Sequence, residues 1–340
     1  MRPEVIEGDV GKVLKTLDDE SVQCVVTSPP YWGLRDYGTA TWEGGDEDCE
    51  HTVSMDLNYS DPKRGKGSLR PEVSHRGGDA SKCRLCGAKR IDDQLGLEPT
   101  PEEYVENMVS GFQEVKQVLR KDGTVWLNLG DTFMDKSMVG IPWRVAFALQ
   151  ADGWYLRSDI IWDKPNPMPE PVKDRPTKSH EYIFLLTKSK KYYYDADAIR
   201  VPLSEVSKQF LDVANGNPLR EVDGFSKEKR YATGGKLSRA EMGNFVNPMG
   251  ANKRSVWKIT TKPYKEAHFA TFPEELPELC IKAGTKKGDV VLDIFAGSGT
   301  TLRVASKLGR KGIGIELNPE YIKILKKRCK IESVSLEAFA

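Results

Sequence analysis

Within this 340-residue chain, Ser28-Pro29-Pro30-Tyr31-Trp32 is the stretch whose residue types could do chemistry. Two consecutive prolines fix φ and remove two backbone donors, so the carbonyls of Ser28 and Pro29 stand on a stiff backbone and accept hydrogen bonds from elsewhere. The Ser28 hydroxyl adds another acceptor, and Tyr31 and Trp32 supply flat faces beside them. Such a set suits a planar ring bearing an NH2 group, for example a nucleobase with an exocyclic amine. A proline-rich turn is the plain alternative, and the stretch alone does not choose. The preceding run, Ser21-Val22-Gln23-Cys24-Val25-Val26, reads as a buried strand. Its carboxyl end delivers the motif to the edge where open α/β sheets bind ligands.

Near the other end, Asp289-Val290-Val291-Leu292-Asp293-Ile294-Phe295-Ala296-Gly297-Ser298-Gly299-Thr300-Thr301 reads as a strand, a glycine turn and a helix start. That arrangement brings backbone close to a ligand, without the third glycine of a dinucleotide fingerprint. Together the two stretches resemble the amino-methylating DNA methyltransferases. The first matches the family's catalytic Ser/Asp/Asn-Pro-Pro-Tyr/Phe motif, and the second its S-adenosylmethionine-binding Asp-x-Phe-x-Gly-x-Gly-Thr motif. Catalytic motif first, cofactor motif last and recognition region between is the order of the family's β group.

The resemblance implies an S-adenosylmethionine-dependent methyltransferase that acts on the exocyclic amine of a base flipped out of double-stranded DNA. Ser28, Pro29, Pro30 and Tyr31 become the catalytic candidates. The cofactor candidates are Asp293, Phe295, Gly297, Ser298, Gly299 and Thr300. Asp9 joins them as the acid near the cofactor's adenine, with a helix N-cap as its alternative. Thr271 and Phe272, in the segment His268–Pro273, help close the pocket. Glu316 and Asn318 end the next strand, where an acid can hold a ribose diol. Serine in the first motif position leans towards cytosine N4, with adenine N6 the alternative. No Pro-Cys nucleophile for carbon-5 methylation stands nearby. A nuclease and a catalytically silent, cofactor-binding DNA regulator are the readings from other classes.

Cys49-Glu50-His51 and Cys83-Arg84-Leu85-Cys86-Gly87 lie in a polar, glycine-rich insertion over 41–92. Cys49, His51, Cys83 and Cys86 could close one structural zinc site, because Gly87 permits the turn that aims two thiolates at one ion. Between the pairs, Lys63–Arg70 is basic, suited to phosphate contact or to disorder. The insertion interrupts a methyltransferase domain expected over 1–40, 93–187 and 263–340, with a target-recognition region at 188–262.

Net charge is +1, but 15 Lys and Arg against 8 Asp and Glu fall between Lys188 and Lys262, so this stretch carries +7. Aromatics at Tyr192, Tyr193, Tyr194, Phe210, Phe225, Tyr231, Phe245 and Trp257 interleave with that charge, as on a surface that follows phosphates. Six cysteines in a chain with no long apolar run and no signal-like start fit metal or core packing in an intracellular protein with no membrane contact, and the resemblance implies the cytoplasm of a prokaryote or phage. The family adds a cognate restriction endonuclease and a homodimer as partners to consider.

The elements that must hold these residues are readable. Thr100-Pro101-Glu102-Glu103 opens a helix with a capping box, and Tyr104, Met108, Phe112, Val115 and Leu119 form its apolar face. Strands are predicted over 124–129, 155–162, 179–187 and 311–318, and helices over 301–308 and 321–329. The alternating prolines of Asp163–Pro171 exclude regular structure there; the resemblance implies that Lys164 and Asn166 on it could meet DNA, with an exposed rigid linker the alternative, and Arg35 earlier could meet a phosphate or pair with an acid. The fold class is α/β: a Rossmann-like, doubly wound, mostly parallel sheet completed by both halves of the chain.

Overall fold

The computed structural model describes residues 2–34, 37, 39–51, 82–92, 94–215, 246–261 and 272–331. Arg35, Lys63–Arg70, Phe225, Tyr231, Phe245, His268 and Thr271 lie outside them. The chain divides into two units, Met1–Tyr193 with Ser255–Ala340, and Tyr194–Arg254.

The first unit is built on one sheet. The β-branched segments Glu4–Glu7 (β1) and Val22–Thr27 (β2) flank a short helix, Val10–Leu14 (α1). A hairpin of Thr41–Glu43 (β3) and Lys89–Ile91 (β4) follows. Helix Pro101–Val118 (α2) begins as the capping box requires, with the Thr100 hydroxyl accepting from Glu103 N at 3.2 Å. Its face of Tyr104, Met108, Phe112 and Val115 is buried, about 1.5–3 kcal/mol for each large side chain removed from water. Leu119 is buried too, but it already starts strand Leu119–Leu129 (β5), five residues before the predicted start.

A small hairpin, Phe133–Met134 (β6) with Ser137–Met138 (β7), leads to helix Ile141–Ala151 (α3). Strands Tyr155–Asp163 (β8) and His180–Thr187 (β9) come next. In the second unit, helix Glu205–Ala214 (α4) follows a bridge residue, Val201, that pairs with Ala251. The chain returns to the first unit with Val256–Lys258 (β10), then Glu275–Gly284 (α5), Val290–Asp293 (β11), Thr300–Lys307 (α6), Lys311–Glu316 (β12) and Pro319–Cys329 (α7).

Sheet order is β1-β12-β11-β2-β5-β9-β8-β10. β9 pairs antiparallel with both neighbours and every other pairing is parallel, as the mostly parallel expectation required. The C-terminal strands β11 and β12 insert between β1 and β2, so the two halves share one sheet. Alternation assigns its faces. Val25, Val125, Ile313 and Ile315 pack towards α1, α2 and α3, whereas Gly312, Gly314 and Trp126 face α5 and α6. Cys24 and Cys280 are buried free thiols in this core, as core packing predicts for part of the cysteine set.

Two readings of the segment 188–262 need correction. Trp257 is buried on β10 with its ring 6.1 Å from that of Trp126, so it is core and no nucleic-acid reader. Lys188, Lys190 and Lys191 follow Thr187, which pairs with Thr124 of β5 and with Tyr155, the first residue of β8. That is the sheet edge opposite the motifs. Of the 15 basic residues only 10 belong to Tyr194–Arg254, against all 8 acids, which leaves that unit at +2.

Candidate active site

β2 ends at Thr27, whose hydroxyl donates to Asp293 Oδ1 at 2.7 Å, and this bond fixes the catalytic motif against the cofactor motif one strand away. From there Ser28 Oγ donates to Tyr31 Oη at 3.2 Å, and Tyr31 Oη donates to Glu181 Oε2 at 2.7 Å. Asn128 Nδ2, at the end of β5, reaches Tyr31 Oη at 2.7 Å and Glu181 Oε2 at 2.9 Å. Lys164 Nζ pairs with Glu181 Oε1. Asn128 Oδ1 is buried without a partner among the described residues.

Burial alone would raise the Glu181 pKa; the Lys164 charge and bonds from Lys164, Tyr31 and Asn128 outweigh it and hold the carboxyl below its usual range. Burial, and then the Glu181 charge, push the Tyr31 phenol well above its ordinary value. The result is a neutral phenol bonded to an ionised acid. Glu181 and Asn128 were not singled out in the sequence. Glu181 reaches the site because β9 runs antiparallel, which brings its first residues to the edge where the parallel strands end. The prolines of 165–171, which return the chain to that edge, are the only local hint.

The cofactor motif folds as a strand, turn and helix. Gly297 (φ 49°) and Gly299 (φ 77°) take left-handed backbone, and a Cβ on Gly299 would lie 2.7 Å from Leu325 Cγ. Glu316 Oε2 accepts from Gly297 N at 2.7 Å and its Oε1 from Asn318 N at 2.9 Å, so the acid braces the turn. Burial raises the Glu316 pKa, and the backbone bonds oppose it. Asn318 caps α7 and donates to Tyr37 O at 3.0 Å. Arg328 Nη1 donates to Ser298 Oγ at 2.6 Å and Thr300 Oγ1 at 2.9 Å.

One cleft of about 1640 Å³ is lined by Ser28, Pro29, Pro30 and Tyr31 on one side, and by Phe272, Phe295, Gly297, Ser298, Thr300, Glu316 and Asn318 on the other. Asp9 lines it as well while capping α1, accepting from Lys12 N at 3.0 Å, so both of its readings coexist. Asp293 and Gly299 do not line it. The Asp293 carboxylate is spent on Thr27 and Phe295 N, and Gly299 packs on α7. Trp32 also departs from expectation: it joins the hydrophobic core and donates Nε1 to Glu98 O at 2.9 Å, because successive residues after the prolines diverge and only Tyr31 turns to the cleft. Lys164 and Asn166 line the cleft but are engaged, Lys164 with Glu181 and Asn166 with the Thr261 backbone in both directions.

Apart from this cleft, the ligand atoms of Cys49, His51, Cys83 and Cys86 all lie within 4.8 Å of one another.

A single large cleft with an amide–phenol–acid cluster on one wall and a braced glycine turn on the other fits a donor–acceptor pair of ligands. Its volume exceeds the roughly 300–1000 Å³ of a site for one small molecule. The family model described as DNA methylase, for N6 and N4 enzymes, matches residues 22–327. The chain belongs to this DNA methylase family. The methylase is 38% identical over 361 residues to the Type II methyltransferase M.Cfr9I of Citrobacter freundii, a match that covers 98% of this chain and 89% of the relative. It is 36% identical to M.SmaI of Serratia marcescens, with 96% and 90% covered. Its fold is similar to that of the PvuII DNA methyltransferase (cytosine-N4-specific), at a TM-score of 0.56 and 19% identity over 100% of this chain and 90% of the other. A Thermus thermophilus protein solved with S-adenosyl-L-methionine matches at 0.52 and 22% identity, covering 96% and 93%. The methylase therefore uses S-adenosylmethionine to methylate an exocyclic amine of a DNA base. Among the described residues no helix is long and apolar enough to cross a membrane.

Proposed function

We propose that the methylase acts on cytosine N4, with Ser28 Oγ and the Pro29 carbonyl accepting the two N–H bonds of a flipped base and the Tyr31 ring beside it. The direction of donation carries this reading: Ser28 Oγ donates to Tyr31 Oη and Tyr31 Oη to Glu181, so Ser28 Oγ, which accepts from Asn128 Nδ2 at 3.3 Å, keeps a second lone pair as an acceptor. Asp9, Glu316, Phe272 and the turn Phe295–Thr300 would hold S-adenosylmethionine, since an acid at a strand end suits a ribose diol and apolar rings suit adenine. The cofactor supplies an electrophilic methyl on a sulfonium. The S–C bond would break with its electron pair left on sulfur as the base nitrogen's lone pair forms the N–C bond, and the N–H bonds to Ser28 Oγ and Pro29 O would strengthen as that nitrogen gains positive charge. The proton it then loses passes to Ser28 Oγ as the Ser28 proton moves to Tyr31 and the Tyr31 proton to Glu181. Lys164 keeps Glu181 ionised until that moment.

Serine at position 28 and the cytosine-N4-specific neighbour support cytosine over adenine N6. Target recognition would fall to Tyr194–Arg254, and the Type II relatives support a cognate restriction endonuclease. The test is transfer from methyl-labelled S-adenosylmethionine to mixed-sequence duplex DNA, followed by nucleoside analysis. N4-methylcytosine is expected, formed far more slowly by Ser28→Ala. N6-methyladenine would overturn the base assignment; bound cofactor without labelled DNA would return the silent regulator.

A further inference from the structure

Cys49 Sγ lies 3.8 Å from Cys83 Sγ, and Cys86 Sγ lies 3.3 Å from His51 Nδ1. With zinc–sulfur and zinc–nitrogen bonds of about 2.3 and 2.05 Å, the edges of a regular tetrahedron are about 3.8 Å between two sulfurs and about 3.6 Å between sulfur and nitrogen. The Cys49–Cys83 pair stands at that spacing, the Cys86–His51 pair slightly inside it, and all four ligand atoms lie within 4.8 Å of one another; Cys49 and Cys83 are too far apart for a disulfide bond of about 2.05 Å. The backbone supports the same geometry. Leu85 N donates to Cys83 Sγ at 3.4 Å, Gly87 N donates to Cys83 O at 2.9 Å, and Cys83 N to Ala88 O at 2.7 Å, which folds Cys83–Ala88 into a tight knuckle. Gly45 crosses beneath it in left-handed conformation, and a Cβ there would come within 2.7 Å of Cys86 Sγ.

What the knuckle anchors is the β3–β4 hairpin, and both flanks of that hairpin run to the cleft. Thr39, before β3, donates its hydroxyl to Asp92 Oδ1 after β4 at 3.0 Å. Tyr37 N donates to Gln94 Oε1 at 2.6 Å, and the Tyr37 carbonyl accepts from Asn318 Nδ2 at 3.0 Å. Tyr37, Thr39, Asp92 and Gln94 all line the cleft. Further along, Gly33 N donates to Gly96 O at 2.9 Å, which ties the chain after the catalytic motif to the same flank. The wall is thus three short segments without a core of their own. These bonds and the hairpin join them, as does Trp32 Nε1, which donates to Glu98 O at 2.9 Å.

We propose that Cys49, His51, Cys83 and Cys86 bind one Zn²⁺, and that the ion, by locking the hairpin, holds Tyr37 against Asn318 and so sets the methylase's affinity for its cofactor. The ion touches neither substrate nor cofactor. The coupling rests on the reading of the cleft as the S-adenosylmethionine site, and the zinc site does not.

Inductively coupled plasma mass spectrometry on the full chain should find one zinc per chain, and Co²⁺ substitution should give the thiolate charge-transfer and tetrahedral d–d bands of a three-sulfur, one-nitrogen site. Stripping the folded protein with an organomercurial and chelator should weaken S-adenosylmethionine binding by calorimetry about tenfold, within the usual range of coupling between sites. Added Zn²⁺ should restore it. Gln94→Ala should retain its zinc and show the same loss, because it cuts the link between hairpin and Tyr37. Metal at buffer level, or octahedral cobalt bands, would overturn the site. Zinc that can be removed with no change in cofactor affinity would overturn the coupling. A wild-type chain that binds zinc but no S-adenosylmethionine would sink the cleft reading and the coupling with it, leaving the metal site standing.

Discussion

Ser28 has no ionised partner of its own, yet through Tyr31 it ends on a carboxylate that Lys164 keeps charged. Removing the Ser28 hydroxyl should therefore lower kcat by about 10²–10³, as for loss of one preorganised hydrogen bond to a charged transition state, with little change in cofactor affinity. Glu181→Gln should lower kcat while retaining the fold; unchanged single-turnover rates for both variants would remove the relay. Asp293 makes a different prediction. Burial, helped by the Glu316 charge, pushes its carboxyl up to about 6 from 3.8, against the bonds from Thr27, Thr301 and Phe295 N. Between those values the folded chain holds a proton that the unfolded chain has released. The contribution to stability is thus complete below the unfolded value and is lost as pH rises through about 6, some 3 kcal/mol in all. Denaturant unfolding of wild type and Asp293→Asn between pH 4 and 7 should give a difference that changes across this window; a constant difference would mean that Asp293 titrates normally. The motif residues were legible because their chemistry is local. Glu181 was not, because its place depends on a strand direction set 150 residues from Tyr31.

At the scale of elements, the helices and strands follow local signals closely. Thr100 caps α2 and Asn318 caps α7 through their side chains, and the predicted strands fall within the observed ones or within two residues of them, although β5 starts five residues earlier than predicted. β5 begins at Leu119 because Val22 pairs with it across a register shift, a non-local event that no helical pattern records. The direction of β9 escaped for the same reason. The glycine turn before α6 shows how tightly one element can constrain another. A methyl group at Gly299 would meet Leu325 Cγ at 2.7 Å and Cys329 Sγ at 3.1 Å while the backbone sits at φ 77°. Overpacking and left-handed strain together predict a cost of about 2–4 kcal/mol for Gly299→Ala. Thermal unfolding should show it as a fall in Tm, accompanied by weaker S-adenosylmethionine binding because the turn that Glu316 braces must shift. A Tm within a degree or so of wild type would show that α7 yields freely.

For the whole molecule the question is where DNA phosphates meet a chain of net charge +1. The basic run at Lys188–Lys191 pointed from sequence to a DNA surface, but Lys188 is held by Glu20 and the Lys116 carbonyl, at the edge away from the cleft. The loop between β8 and β9 lies at the correct edge. It carries Lys164, Lys173, Arg175 and Lys178 against Glu170 and Asp174, and it returns the chain to Glu181. Lys164, Arg175 and Lys178 are occupied by Glu181, Glu170 and the Asp131 carbonyl, which leaves exposed Lys173 as the side chain best placed to follow a phosphate. Each phosphate that a protein neutralises contributes about 0.9 to the slope of log K against log salt. Lys173→Ala should therefore reduce that slope by about 1 for any duplex, whereas Lys190→Ala with Lys191→Ala should leave it unchanged. Fluorescence anisotropy titrations from low to moderate salt separate the two. The reverse pattern would place DNA on the opposite edge of the sheet, where neither Ser28 nor Glu181 could reach a flipped base.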